Sequence, residues 1–296
     1  MPSGAPERAA HRAANRRGIR LMVMAMACFI VNDAIVKRVS ETVTAPQLIF
    51  VRGALASVLV LLVAAVMTGA LRPVALRERT VLLRVVIDSA ATFGYLIALL
   101  HLPIANATAI NMAAPLFVVA LAVPLLGERV DRLRWLAVMA GFCGVLLVIR
   151  PEVGGFNGYA WLCLAATVMH ALRDLVTRAI PASVPSLTIT LASLLTVTTI
   201  AGAATLAQGW RPLGASSLVM LAGAALIMAS GLLLITMSAR AGDMSAIAPW
   251  RYTGLLWALA LGWLLWGEVP DPLAWMGIAL LLAAGLFLMR RERGGR

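Results

Sequence analysis

The chain has 296 residues, of which 61% are hydrophobic and only 13% are charged, and its mean hydropathy is +0.92. Soluble domains carry about 25% charged residues, so this composition excludes an ordinary soluble protein and predicts an all-α polytopic membrane protein. The net charge of +12 does not indicate nucleic-acid binding, because the basic residues lie in short segments between apolar stretches and at the two ends.

Ten apolar stretches are long enough to cross a membrane as helices, since one crossing takes about 20 residues. We predict spans at 18–38, 45–70, 80–100, 104–126, 133–149, 158–178, 185–208, 215–238, 245–266 and 273–289. The segment 1–17 contains four arginines, and the first span, at 18–38, is not followed by a cleavage site of small residues. This predicts a basic, flexible cytoplasmic tail rather than a signal peptide.

The basic residues of the loops predict the orientation in the membrane. If the N-terminus is inside, seventeen arginines lie on the cytoplasmic side and four basic residues lie on the opposite side. We therefore expect both termini to be cytoplasmic, in a bacterial-type inner membrane. The lipid bilayer is then an obligatory partner, and nucleic acid is not.

A ten-residue motif occurs twice, 140 residues apart: LGERVDRLRW begins at Leu126 and WGEVPDPLAW begins at Trp266. Each copy lies between two predicted spans. Five spans separate the copies, an odd number, so the copies should lie on opposite sides of the membrane, within two inverted five-helix repeats. Inverted repeats can give two conformations of similar energy, one open to each side, which indicates transport by alternating access.

The motif and the spans divide the chain into four predicted segments: a tail at 1–17, a first repeat at 18–150, a second repeat at 151–290 and a second basic tail at 291–296. Glu128 and Glu268 follow the glycines of the two motifs. Because glycine permits a tight turn and a carboxylate favours a helix N-terminus, we predict that both glutamates cap helices or close hairpins and do not contact the substrate.

Polar side chains within the spans need a partner or a function, because a charge at the centre of a bilayer costs at least about 2.5–3.5 kcal/mol. We predict that thirteen such residues bind substrate or line its cavity: Asn32, Asp33, Lys37, Arg52, Asp88, Tyr95, Asn111, His170, Arg173, Asp174, Trp250, Arg251 and Tyr252. Residues four apart share a helix face, so Asp33 with Lys37 and Arg84 with Asp88 have the alternative of forming structural ion pairs.

Arg52 and Arg251 lie deep in their spans, and neither has an acidic residue three or four positions away. Five basic residues against three aspartates leave an intramembrane excess of two positive charges. A guanidinium in such a site can hold a carboxylate or phosphate by two hydrogen bonds, which indicates an anionic or zwitterionic solute. The alternative is that these arginines pair with Asp33, Asp88 or Asp174 across helices.

The three cysteines, Cys28, Cys143 and Cys163, lie within apolar stretches, without a CxxC pair or a histidine at ligand spacing. We therefore expect neither a metal site nor a disulfide. The sequence also lacks the HExxH, GxSxG and P-loop motifs. No cofactor and no catalytic residue is predicted.

Several stretches together resemble the drug/metabolite transporter superfamily, EamA type: PQLIFVR from Pro46, IANATA from Ile104, the Pro115 and Pro249 positions, and the two Gly-Glu turns. The resemblance implies a ten-helix permease of two inverted repeats, with a central cavity and no ATPase. Such proteins carry amino acids, other metabolites or drugs, frequently outward. Asn32-Asp33 followed by Lys37 is similar to a subgroup that includes carriers of S-adenosylmethionine, riboflavin and opine-type metallophores.

The expected function is secondary transport of a small anionic or zwitterionic metabolite. Export of an amino-acid-derived carboxylate fits the charge count, with an opine-type metallophore as one candidate. One alternative is uptake of riboflavin, S-adenosylmethionine or a similar metabolite. An alternative of another class is a membrane-embedded enzyme or scaffold. A proton or another ion is an open alternative as a coupling partner.

Overall fold

The structure is a computed structural model that describes residues 4–66, 78–127, 131–149, 158–181, 183–241 and 244–294. Within those ranges every regular element is a helix: α1 Gly4–Val39, α2 Ala45–Val66, α3 Arg79–His101, α4 Ile104–Asn111, α5 Ala114–Leu126, α6 Arg132–Ile149, α7 Gly158–Arg178, α8 Ser186–Gln208, α9 Ala215–Ala241, α10 Met244–Ile247, a 3-10 turn Ala248–Tyr252, α11 Thr253–Trp266 and α12 Pro272–Gly294. Nine stretches of the described ranges are long and apolar enough to cross a membrane. The protein is therefore an all-α polytopic membrane protein, as predicted.

The first helix is longer than its predicted span. It has 36 residues and begins at Gly4, within the segment for which we predicted a flexible tail. That expectation was wrong, because five alanines between residues 4 and 17 favour a helix over an extended chain. At about 1.5 Å per residue the helix is roughly 54 Å long, well beyond the ~30 Å hydrocarbon core.

Two of the ten predicted spans are interrupted. The ninth is divided into α10, the 3-10 turn and α11, and the fourth is divided into α4 and α5 at Met112 and Ala113. Each interruption lies beside a proline, Pro249 in the 3-10 turn and Pro115 at the start of α5. Proline lacks the N–H group that would continue the helical hydrogen bonding and restricts the preceding residue. Because the breaks fall at equivalent positions of the two halves, they are a property of the repeat.

The main helix contacts follow the repeat. Helix α1 packs against α9, and α3 packs against α7. These two interfaces are equivalent, because α7 is the second-repeat counterpart of α1 and α9 is that of α3. Helices α2 and α8 pack against each other, as do α6 and α12, and each of these pairs joins repeat equivalents. All four interfaces connect the first half of the chain to the second, and buried residues such as Leu48, Leu99 and Leu255 fill the core between them.

The two Gly-Glu turns lie at opposite ends of the bundle. Gly127 ends α5 with φ 67° and Gly267 ends α11 with φ 66°, so both use the left-handed conformation that glycine adopts readily. Oε2 of Glu268 accepts a hydrogen bond from the Ile104 N–H at 3.0 Å, at the start of α4, whereas Gly127 follows the end of α5. One complete span therefore separates the turns, and the repeats are inverted. Glu128 lies outside the described residues.

We call the end of the bundle at which α3 begins the N-terminal face, and the end at which α3 finishes the opposite face. Ser238 donates to the Gly18 carbonyl at the N-terminal face. At the opposite face, the side chain of Gln47 bonds to both the N–H and the carbonyl of Arg211. Each face is thus closed by contacts between the two halves.

Candidate functional site

Four predicted site residues meet in the interior, and we call them the central cluster: Asn32 and Asp33 of α1, Arg52 of α2 and Tyr95 of α3. The Tyr95 hydroxyl donates to Oδ2 of Asp33 at 2.8 Å. The Asn32 amide donates to Oδ1 of Asp33 at 3.0 Å, and its oxygen lies 3.4 Å from Nη1 of Arg52. All four side chains are buried, so they are largely shielded from water and their interactions are strong.

One donor of the central cluster is unused. Nε of Arg52 is buried and has no hydrogen-bond partner among the described residues. A buried polar atom without a partner is costly and uncommon in native proteins. Such atoms in a transporter are candidates for contact with a solute or a coupling ion.

A second group, which we call the charged network, lies closer to the N-terminal face. Asp88 of α3 accepts from Nη1 of Arg173 on α7 at 2.9 Å and from Nη1 of Arg84 at 3.2 Å. The Arg84 guanidinium also donates to Oγ of Ser193 on α8 at 2.7 Å. Nε and Nη2 of Arg173 both donate to Oδ1 of Asp174, at 3.0 and 2.8 Å. The ion pair of Arg84 with Asp88, which the spacing offered as one alternative, is present.

Helix periodicity brings these two groups together. Arg84, Asp88 and Tyr95 lie on one face of α3, because they are separated by four and seven residues. The Tyr95 and His170 rings are 6.1 Å apart, and Nδ1 of His170 lies 3.0 Å from Oδ1 of Asn111. His170 and Asn111 therefore connect the central cluster to the charged network and to the break between α4 and α5.

Lys37 lies away from both groups. Its Nζ donates to Oε1 of Glu268 at 2.6 Å and to the Leu102 carbonyl at 2.7 Å, and it lies 4.9 Å from the centre of the Trp266 ring. Lys37 therefore pairs with Glu268 at the opposite face and not with Asp33 on its own helix.

The partner of Lys37 changes the charge count. Glu268 was assigned to a surface turn, but it neutralises an intramembrane lysine, which lowers the excess of two positive charges to one. The two residues are 231 positions apart, so no local spacing could have paired them. The only indication in the sequence that Glu268 has a specific role was the repetition of the Gly-Glu motif.

The predicted residues of the ninth span form a separate group. Trp250 and Arg251 are exposed on the 3-10 turn, whereas Tyr252 is buried and no described residue forms a hydrogen bond with its hydroxyl. The Tyr252 ring lies against Gly285 of α12, where a side chain would overlap it. The structure thus does not bring Arg251 into contact with Arg52 or with the charged network.

Sequence reasoning missed several residues of the site. Ser193 and Thr177 hold Arg84, and Thr108 lies beside the central cluster. Hydroxyl residues are frequent in apolar helices and give no local signal, so only the packing reveals them. In the ranges that the structure describes, no group of histidine, cysteine or acidic side chains could hold a metal ion.

Comparison with known proteins agrees with this architecture. Residues 16–150 and 157–290 each match the EamA-like transporter family, so each half of the chain carries one copy. The chain is 33% identical over 213 residues to a riboflavin transporter of Rhizobium johnstonii, covering 71% of this chain and 70% of the relative. It is 27% identical over 283 residues to the pseudopaline exporter CntI of Pseudomonas aeruginosa, covering 94% and 98%.

Further similarities extend this comparison. An S-adenosylmethionine uptake transporter of Rickettsia bellii is 26% identical over 205 residues, covering 68% of each chain. One crystal structure with 18% sequence identity superposes with a TM-score of 0.60, covering 95% of this chain and 99% of that chain, which shows the shared fold. Since both halves match the same family, the protein is a transporter and not an enzyme: the chain belongs to the EamA-like transporter family.

Proposed function

We propose that this transporter exports a small anionic or zwitterionic metabolite by alternating access, and that the solute is an amino-acid-derived carboxylate compound such as an opine-type metallophore. The observation that carries the proposal is the charged network of α3 and α7. Its position in the interior of a multi-pass membrane protein favours a role in solute recognition. Charges within the bilayer are costly, and those that occur there usually mark the pathway of a solute or ion.

The charged network offers both signs of charge to a solute. Asp174 has 45% of its side chain exposed, and among the described residues its hydrogen bonds are those that Oδ1 accepts from Arg173. This partly exposed carboxylate suits an ammonium group. The guanidinium of Arg173 is 26% exposed and can exchange a protein carboxylate for that of a solute, because the fork geometry is the same. A zwitterion therefore fits this network better than a simple anion does.

Arg52 is the second anchor that we propose for the anionic group. Only 7% of the residue is exposed, and its Nε has no hydrogen-bond partner in the part of the chain that the structure describes. A solute carboxylate at this position would complete its hydrogen bonding. Arg251 is a further candidate, since it is exposed beside the helix break and no described residue pairs with it.

Alternating access is supported by which helices the ion pairs connect. Arg173 and Asp88 join α7 to α3 nearer the N-terminal face, and Lys37 and Glu268 join α1 to the turn after α11 at the opposite face. Each pair connects the first repeat to the second. Separating the repeats at one face would break one pair and leave the other intact, so the two pairs can stabilise the two closed ends in turn.

A proton or cation as coupling partner belongs to this proposal. Export against a gradient needs a source of free energy, and the sequence has no P-loop for a nucleotide. Asp33, Asp88 and Asp174 are the intramembrane carboxylates that are available to carry a proton.

Transport by purified protein in liposomes tests the proposal. Full-length protein would be reconstituted, loaded with an extract of amino-acid-derived carboxylates, and assayed by mass spectrometry for compounds that leave the vesicles unchanged. We expect a carboxylate to be depleted by wild-type protein and retained by an Asp174→Asn variant and by protein-free vesicles. Depletion only of compounds without a carboxylate would contradict the proposed substrate class.

Uptake of riboflavin or S-adenosylmethionine is the second candidate. The sequence similarity to the riboflavin transporter of Rhizobium johnstonii favours it, and the exposed carboxylate of Asp174 could contact a cationic sulfonium. Radiolabelled riboflavin and S-adenosylmethionine added outside cells that express this chain decide between the candidates. If either compound accumulates to a higher level than in cells with an empty vector, uptake of that compound is the better supported function and export of a carboxylate is contradicted.

A further inference from the structure

Three arginines in the first half of α1 form a distinct surface. Arg16, Arg17 and Arg20 are exposed and lie on one side of the helix, because Arg20 is three and four residues after the adjacent pair Arg17 and Arg16. Together with Ala13 and Leu21 they line an open cavity of about 430 Å³. We call these five residues the arginine face.

The opposite side of α1 fixes the direction of the arginine face. Gly18 lies against Ile247 of α10 and receives a hydrogen bond from Ser238 of α9 at its carbonyl, and Met22 is fully buried on the same side. The arginine face therefore points away from the contact with α9 and α10. The apolar stretch of α1 runs from Ala13 to Val39, so the arginine face lies at its N-terminal end, where we expect the lipid headgroups.

The chemistry of the arginine face is that of an anion site. In the described part of the chain no carboxylate forms an ion pair with any of the three guanidiniums, in contrast to Arg38, which pairs with Glu41, and Arg84, which pairs with Asp88. Three unpaired guanidiniums suit a phosphodiester, because a guanidinium can donate two parallel hydrogen bonds to the phosphate oxygens. Leu21, on the membrane side of the arginines, supplies apolar surface for the adjoining glycerol and first acyl carbons.

We propose that the arginine face binds the phosphate of an anionic phospholipid from the adjacent leaflet. This site is independent of the solute pathway, because it faces away from the bundle and shares no residue with the central cluster or the charged network. Clustered basic residues directly beside a membrane span attract anionic headgroups, and the attraction is additive over the residues.

Native mass spectrometry of full-length protein in detergent tests the proposal, with dioctanoyl phosphatidylglycerol as the probe and dioctanoyl phosphatidylcholine as the neutral reference. We expect selective retention of phosphatidylglycerol by the wild type. Replacing Arg16, Arg17 and Arg20 by Gln should weaken that retention by about a hundredfold. A matched variant with Arg132, Arg134 and Arg290 replaced by Gln removes the same charge from the same face and should bind as the wild type does.

A second variant keeps the test decisive if the glutamine variant does not insert. Replacing the three arginines by Lys preserves the charge that sets topology but removes the planar fork, so binding should fall by about tenfold. Equal loss in the matched variant, or equal retention of phosphatidylcholine, would overturn the proposal. Displacement of the lipid by inorganic phosphate at the same concentration would show a site for a free ion and would also overturn it.

Discussion

Arg52 differs from Arg84 and Arg173 in its hydrogen bonding. Arg84 and Arg173 each donate to a carboxylate, whereas the guanidinium of Arg52 reaches the amide oxygen of Asn32 at 3.4 Å and leaves its Nε unpaired. An arginine that is held loosely by the protein can exchange its partner for a solute at low cost. This contrast underlies the first prediction at the scale of single residues.

Replacing Arg52 by Gln should lower substrate affinity about ten- to a hundredfold, because a desolvated charge-assisted contact contributes roughly 1.5–3 kcal/mol. Replacement by Lys should restore little, since an ammonium lacks the planar fork. Transport in proteoliposomes over a range of substrate concentrations measures both. Arg38→Gln, at an exposed position near the opposite face, is the control and should leave affinity unchanged.

A charge swap separates solute binding from a structural role of Arg52. If Arg52→Asp combined with Asp33→Arg restores wild-type transport, the two residues act as an ion pair between α1 and α2. The binding role would then fail. Persistent loss of transport in the double variant, with normal folding, supports contact with the solute.

Glu268 is the residue on which the opposite face depends. It accepts hydrogen bonds from Lys37 and from the first N–H of α4. The Lys37 side chain is 11% exposed and that of Glu268 is 20% exposed, so the ion pair is partly buried. Removing one partner of a buried ion pair leaves an uncompensated charge and costs about 3 kcal/mol. We therefore expect Glu268→Ala to lower the melting temperature and the yield of folded protein.

Glu41→Ala is the matched control for this prediction. Glu41 pairs with Arg38 at 2.8 Å, but the side chains are 48% and 60% exposed, and such surface pairs contribute about 0–1 kcal/mol. Its melting temperature should stay within error of the wild type. A Glu268→Ala protein that folds normally but loses substrate affinity would contradict the structural role.

At the scale of elements, the backbones of α6 and α12 approach each other closely at two glycines. A Cβ atom added to Gly144 would lie 2.7 Å from the Gly277 carbonyl oxygen, and one added to Gly277 would lie 2.5 Å from the Gly144 carbonyl oxygen. Real side chains do not approach backbone so closely, so these glycines allow two repeat-equivalent helices to touch. Small residues at such contacts are how membrane helices associate closely.

Gly144→Ala and Gly277→Ala should each destabilise the protein by about 1–3 kcal/mol, because α6 and α12 would have to separate. Gly223→Ala on α9 is the control, since an added Cβ there meets no atom within 4 Å. That change should be neutral or slightly stabilising, as alanine favours a helix. Thermal denaturation in detergent distinguishes these outcomes. An unchanged melting temperature for Gly277→Ala would show that the α6–α12 interface tolerates a wider spacing.

The elements themselves were largely predictable. Apolar length alone located the spans, since nothing but a helix satisfies the backbone of a short chain segment in lipid. The breaks were not predicted. Pro115 and Pro249 were noted, but whether a proline bends or interrupts a helix depends on the neighbouring helices. Pairings such as Lys37 with Glu268 were beyond the sequence, because they depend on how helices from different repeats face each other.

At the scale of the whole molecule, the orientation in the membrane remains a prediction. The structure shows that the turns at Gly127 and Gly267 lie at opposite ends, and the excess of arginines assigns the N-terminal face to the cytoplasm. Reporter fusions after Arg79 and Arg134 should report a cytoplasmic location, and fusions after Thr42 and Pro270 an outer one. The reverse pattern would contradict the orientation that the arginine excess predicts.

The four main helix interfaces also bear on how the protein is made. Each of them joins the first repeat to the second, so none can form until the second half has been synthesised. The partner of Lys37, Glu268, is synthesised 231 residues later, and its synthesis follows after roughly 10–50 s at about 5–20 residues per second. During that time the first five spans lie in the bilayer with Asp88 and Lys37 lacking their second-half partners. A nascent chain that stops after the first repeat therefore exposes charges to lipid and is a natural target for membrane proteases.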